Sequence, residues 1–144
     1  MVANAIHTFA GVELRQYCEK LMDRQGCPEP TGQAKITPAF NLPCRYILHT
    51  VGPIVGSRVT ERDRALLASC YRSCLELAAE KSLESVAFCC ISTGEFHFPN
   101  RQAAEIAVET VRDFLTKGTS VKKVIFNVFK DMDKAIYAEL LGAN

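Results

Sequence analysis

The chain has no excess of charge of either sign. Its 17 basic and 16 acidic residues are scattered along 144 positions and leave a net charge of +1. With neither a polybasic tail nor an acidic arm, bulk nucleic-acid binding by charge is excluded. Long apolar runs are also missing. None reaches the roughly 18–20 residues of a membrane span, and the N-terminus lacks the basic-then-apolar layout of a signal peptide. A soluble, cytoplasmic protein without membrane partners is the expectation. The seven cysteines include no C-x-x-C, and Cys70 and Cys74 stand one helical turn apart with no second pair, so neither a structural zinc site nor a metal of any other kind is expected in this chain. Cys18, Cys70, Cys74, Cys89 and Cys90 lie inside apolar-periodic segments, where a reduced thiol acts as a small hydrophobe. Repeats, low-complexity tracts and linkers are absent. With 48% apolar residues, the chain is expected to form a single domain over residues 1–144.

The segments that are present alternate in period. Ile6, Phe9, Ala10, Leu14, Tyr17, Cys18 and Leu21 recur at three and four, which predicts one helix over residues 5–23, ended by Gly26-Cys27-Pro28. A short Gln33–Thr37 segment and the turn Asn41-Leu42-Pro43 lead to a strand over Tyr46–Val51, closed by Gly52-Pro53. Thr60, with Asp63 three residues on, caps a long helix whose inward stripe is Leu67, Cys70, Tyr71, Cys74, Leu77 and Ala78. A strand over Ser85–Ile91 follows, then a loop, then a helix from about Arg101 to Lys117 with Gly118 as its C-cap. A strand over Val121–Phe129 and a helix opened and capped by Asp131 complete the chain. Strands alternating with amphipathic helices predict an α/β layer fold with a mainly parallel sheet and helices on both faces.

The loop is Ser92-Thr93-Gly94-Glu95-Phe96-His97-Phe98-Pro99. In open α/β sheets, ligands bind where strands end and the next helices begin, and these residues sit at such a junction. Gly94 permits a backbone that aims successive N–H groups at one point, Ser92 and Thr93 add hydroxyls, and the next helix brings its positive end. An anion is the ligand such a loop suits, although an ordinary strand-to-helix turn with two packing aromatics has the same composition.

Ile91-Ser92-Thr93-Gly94, followed by two aromatics one residue apart and Pro99, resembles the phosphate-binding loop of the macrodomain family, the ADP-ribose-binding modules. Asn4-Ala5-Ile6-His7 with Ala10-Gly11, Gly32-Gln33-Ala34, His49-Thr50-Val51-Gly52-Pro53 and Val124-Ile125-Phe126 with Phe129 and Tyr137 fall in the order that family requires, so the similarity covers essentially the whole chain. Asn41-Leu42-Pro43, Cys70-Tyr71 and Cys90 through Gly94 are most similar to the microbial branch whose members carry zinc and act as protein ADP-ribosyl hydrolases. The resemblance implies a macrodomain-like three-layer α/β/α fold. It also implies an N-terminal truncation, because the family's first strands, its adenine-reading acid, its asparagine-rich loop and its zinc-binding segment would precede Met1, and Ala3 stands where many of its hydrolases place an aspartate. Zinc is thereby expected in a full-length family member and not in this chain. Since one of those strands lies inside the family's sheet, a homo-oligomer that repairs the gap is a further expectation.

By the same resemblance, Ser92, Thr93, Gly94, Glu95 and Phe96 would wrap a diphosphate and distal ribose, with Glu95 turned to solvent or to a ribose hydroxyl. His97 stands where relatives often have glycine. Asn4 and His7, at the start of the first helix, are candidates for ribose or phosphate contact, against helix capping and packing. His49 is expected to be a core histidine. Asn127 and Phe129 end the last strand, where the family's adenine pocket lies, and Phe129 could stack on a base. The implied function is recognition of ADP-ribose, or of an ADP-ribosylated protein, related to hydrolytic removal of ADP-ribose. A non-catalytic ADP-ribose or nucleotide module and an inactive remnant are the alternatives, and no residue here is an evident base, so the catalytic residues stay unassigned.

Overall fold

The computed structural model describes the backbone of residues 2–142 and the side chains of residues 5–142. Helices α1 (Val2–Ala10) and α2 (Val12–Gln25) occupy the stretch read as one helix. Gly11 separates them with φ +98°, a conformation that only glycine adopts without strain, and an added Cβ there would meet the Asn41 side chain at 2.8 Å. The i, i+3, i+4 pattern runs through the break because both helices turn apolar residues towards the same small core. Gly26 ends α2 in the left-handed conformation and donates to the Met22 carbonyl.

Strand β1 (Ala34–Pro38) pairs antiparallel with β2 (Tyr46–Thr50), with Ile36 opposite Leu48. Strand β3 (Ser85–Phe88) pairs in parallel with β4 (Lys123–Phe126), with Ala87 opposite Ile125. The expected mainly parallel sheet is therefore corrected in detail: among the described residues there are two separate two-stranded ladders, one of each sense. The first pair is antiparallel because its connection, residues 39–45, is too short for a crossover helix; the Gln33–Thr37 segment carries too little alternation to mark β1 as a strand in the sequence.

Helix α3 (Glu61–Glu80) packs against both ladders. It opens with a complete capping box: Thr60 Oγ1 accepts from the Asp63 N–H at 3.1 Å, and Asp63 Oδ2 accepts from the Thr60 N–H at 2.9 Å. From its side, Ser69 and Ser73 both donate to the Gly32 carbonyl, at 2.8 and 2.9 Å, which ties it to the start of β1. Helix α4 (Asn100–Leu115) packs alongside α3, and α5 (Asp131–Leu141) packs on α4. Helix α4 ends at Thr116 rather than at Gly118, which takes a left-handed turn two residues later.

The main core joins Leu67, Cys70, Tyr71, Cys74 and Leu75 of α3 to Val86 and Phe88 of β3 and to Ala104, Ala107 and Val111 of α4. Tyr71 meets Phe88 at a ring distance of 4.9 Å, and Phe126 stacks on Tyr137 at the same distance. Each fully buried side chain of this size stabilises the fold by about 1.5–3 kcal/mol. A second, smaller core holds Ala10, Leu14, Ala39 and Ile47 beneath α1 and α2. All seven cysteines are free thiols. Burial pushes the Cys74 thiol up to about 12, so it stays protonated and packs as a hydrophobe. Among the described residues, no helix is long and apolar enough to cross a membrane.

Candidate functional site

At the carboxyl end of β3 the chain runs through Cys89, Cys90 and Ile91 into the loop. The Asn127 N–H donates to the Phe88 carbonyl at 2.7 Å, so the ends of the parallel ladder open side by side. Ser92 then turns into the left-handed region, φ +64°, with its side chain buried. Thr93 is extended, Gly94 has φ +75°, and Gly94–Phe96 form one 3-10 turn closed by His97, itself left-handed at φ +62°. Alternating left-handed and extended residues crowd N–H groups onto one side of a backbone. Among the described residues, no backbone carbonyl accepts from the N–H of Thr93, Gly94 or Glu95. Gly94 is exposed and nothing lies within 4 Å of the position a Cβ would take. Three adjacent backbone donors at a strand end are thus left without a backbone acceptor among the described residues, with open space beside Gly94.

The rest of the loop is held firmly. The Phe98 N–H donates to the Ser92 carbonyl at 3.0 Å, Thr93 Oγ1 donates to the Cys90 carbonyl at 3.3 Å, and Phe98 is buried at 1% exposure as the loop's anchor in the core. The Val55 N–H donates to the Phe96 carbonyl at 2.9 Å. Glu95 and His97 are exposed, and Phe96 is half-buried. Behind the loop, Asn100 Nδ2 donates to Oδ1 of the buried Asp133 at 2.6 Å, clasping the first turns of α4 and α5. Burial, followed by the proximity of the Asp133 carboxylate, pushes the Cys90 thiol up to about 11, so it is no ready nucleophile.

At the end of β4, Asn127 is exposed and Phe129 is 100% exposed. A phenyl ring wholly in water at the mouth of a parallel ladder is an available stacking surface. Asp131 is the first residue of α5 rather than its cap; Lys130 takes the cap position without a side-chain bond, and Asp131 and Asp133 instead place negative charge in the first turn.

The N-terminal candidates lie elsewhere. The Asn4 side chain falls outside the described residues. The His7 ring lies 6.4 Å from that of His49, and its Nδ1 is buried without a hydrogen-bond partner. His49 Nε2 shares a 2.9 Å hydrogen bond with Thr37 Oγ1, and burial, followed by the proximity of His7, lowers its pKa. Both histidines are half-buried, between α1 and β2. An open cleft of ≈ 320 Å³ lies on the outside of that lobe, lined by His7, Thr8, Gly11, Val12 and Arg15. Among the described residues, no three His, Cys, Asp or Glu side chains converge as metal ligands. Sequence reading missed Val55, Asn100 and Asp133. The Asn100–Asp133 contact spans 33 positions and has no local signal.

Comparison with known proteins agrees with this geometry. The Macro domain family model matches residues 1–107. The chain is 59% identical over 141 residues to a protein-ADP-ribose hydrolase of Treponema medium, covering 98% of this chain and 54% of that protein. It thus spans about half the length of the curated relatives it matches. Among solved structures, the Oceanobacillus iheyensis macrodomain with ADP superposes with a TM-score of 0.92 at 40% identity, covering 99% of this chain and 75% of that one. The Trypanosoma brucei macrodomain in complex with ADP-ribose gives 0.86 at 36% identity, with 99% and 57% covered. The fold is macrodomain-like α/β, and the chain belongs to the Macro domain family.

Proposed function

We propose that the chain is the ADP-ribose-recognising part of a protein-ADP-ribose hydrolase. The observation that carries this reading is the run of three N–H donors at Thr93, Gly94 and Glu95, unpaired with any backbone carbonyl among the described residues, beside the open space at Gly94. A diphosphate takes its charge-assisted hydrogen bonds from such a run, and the positive end of α4 adds to the attraction. Phe129, fully exposed at the end of β4, offers a face to the adenine, a contact worth roughly 1–3 kcal/mol. The relatives named for acting on protein-linked ADP-ribose, and the neighbour bound to it, support the ligand's identity.

Hydrolysis would break the bond between the anomeric carbon of the distal ribose and the protein side chain. Water supplies the new C–O bond, and its proton leaves to the departing group or to solvent. The loop's part is positional. Clamping both phosphates fixes the distal ribose, and positioning of this kind lowers barriers without any proton transfer from the protein. The titratable side chains on the loop, Glu95 and His97, are both exposed, and neither makes a side-chain hydrogen bond or ion pair among the described residues. That observation favours a second reading for the isolated chain, a binding module without turnover.

Release of ADP-ribose from an ADP-ribosylated protein, followed with and without added zinc, separates the two. Release by the chain alone supports hydrolysis, whereas tight binding of ADP-ribose without release supports the module.

A further inference from the structure

We infer that Gly52, forty positions before Ser92, positions the anion loop and so sets the preference for ADP-ribose over shorter nucleotides. The inference rests on the proposed role of the loop and adds a determinant outside it. Gly52 lies two residues beyond the end of β2 and is buried. A Cβ at this position would overlap Ser92 Oγ and approach Ile91 Cγ2 to 2.8 Å and Ser92 Cβ to 3.2 Å. A side chain at 52 must therefore shift Ser92 or Ile91, where the chain enters the loop.

Ser92 is itself under constraint. It is a non-glycine residue at φ +64°, and its hydroxyl is buried with no hydrogen-bond partner. Both features cost free energy, and such costs persist only where the surroundings hold them in place. The segment after β2 does the holding at two points. Gly52 abuts Ser92, just before the three free N–H groups, and Val55 donates to the Phe96 carbonyl at 2.9 Å, just after them. The donors at Thr93, Gly94 and Glu95 are thus suspended between two contacts with one short, partly buried stretch. A hydrogen bond to phosphate tolerates only a few tenths of an ångström in length. Moving Ser92 to admit a Cβ would turn these donors away from a diphosphate while leaving a base at Phe129 untouched.

The test is calorimetry with ADP-ribose and with AMP, which lacks the second phosphate and the distal ribose. It uses the wild type, G52A, S92G and the double variant. We expect G52A to weaken ADP-ribose at least about tenfold and AMP less than threefold. S92G removes both Ser92 atoms that the new Cβ would strike, so the double variant should return to within about threefold of S92G. A general loss of packing would be deepened, not rescued, by a second substitution. Wild-type affinity in G52A, equal losses for both ligands, or no rescue would overturn the inference. A wild type that binds neither ligand would instead overturn the proposed function on which it rests. Should G52A fail to fold, hydrogen exchange on the wild type decides: the Gly94 and Glu95 amides should be protected by ADP-ribose and not by AMP, and protection by neither or by both contradicts the inference.

Discussion

The two ladders live on different means. The β3–β4 ladder is backed by α3, α4 and α5 through a core that includes fully buried Leu67, Cys70, Leu75 and Ala107. The β1–β2 ladder sets Ala34 and Leu48 against the edge of that core, and shares with α1 and α2 a smaller one of four buried residues, Ala10, Leu14, Ala39 and Ile47; Phe9 and Val12 of those helices are exposed. The anion loop grows from the first ladder and is anchored in the core by Phe98; the half-buried histidine pair lies at the second. A site that must hold donors to within tenths of an ångström is thus built on the better packed half, and the other half reaches it through Gly52 and Val55.

Leu75→Ala breaks this comparison most severely. It should lower global stability by about 2–5 kcal/mol in chemical denaturation, since the surrounding helices cannot close around the cavity. Leu14→Ala removes an equally buried side chain, yet the smaller core should yield by local opening. Hydrogen exchange should then quicken in residues 2–25 first, with the loop's neighbours unchanged. Equal loss of protection in both lobes would show that they unfold as one.

Phe129→Ala should weaken ADP-ribose by about 1–3 kcal/mol with no change in melting temperature, because the ring touches solvent alone. Loss of stability without loss of affinity would remove Phe129 from the site.

The smaller lobe should also be the acid-sensitive one. Burial first and His7 second hold His49 below its usual pKa, so the unfolded chain takes up the proton more readily than the folded one. The neutral ring's contribution is whole above the unfolded pKa of about 6.5 and is lost as pH falls from there towards the lower folded value. Melting temperature should drop between pH 7 and 5, and His49→Gln should flatten that slope; an unchanged slope would assign the acid sensitivity to other groups. Smallest of all, Thr60→Ala should cost about 1 kcal/mol by opening the capping box of α3.

What the sequence revealed and what it hid have physical reasons. Helix α3 was legible because Thr60 and Asp63 are local signals that the cap geometry obeys, and Ser85 opens β3 as expected. Helix ends that depend on one residue's φ were not: Gly11 breaks an unbroken apolar stripe, and Gly118 stands two positions beyond the residue that caps α4. In the loop, the glycine and aromatics marked where a ligand would sit, but the left-handed turn at Ser92 and its contact with Gly52 arise from tertiary packing across forty positions, which no window of sequence contains.

Titration calorimetry of ADP-ribose against the wild type and Gly94→Val reaches the loop most directly. Gly94 has open space around it and φ +75°, so valine should leave the fold standing while its strained backbone turns the free N–H groups aside. One equivalent of ADP-ribose bound by the wild type and none by a folded Gly94→Val is the predicted result; undiminished affinity in a folded Gly94→Val would contradict it.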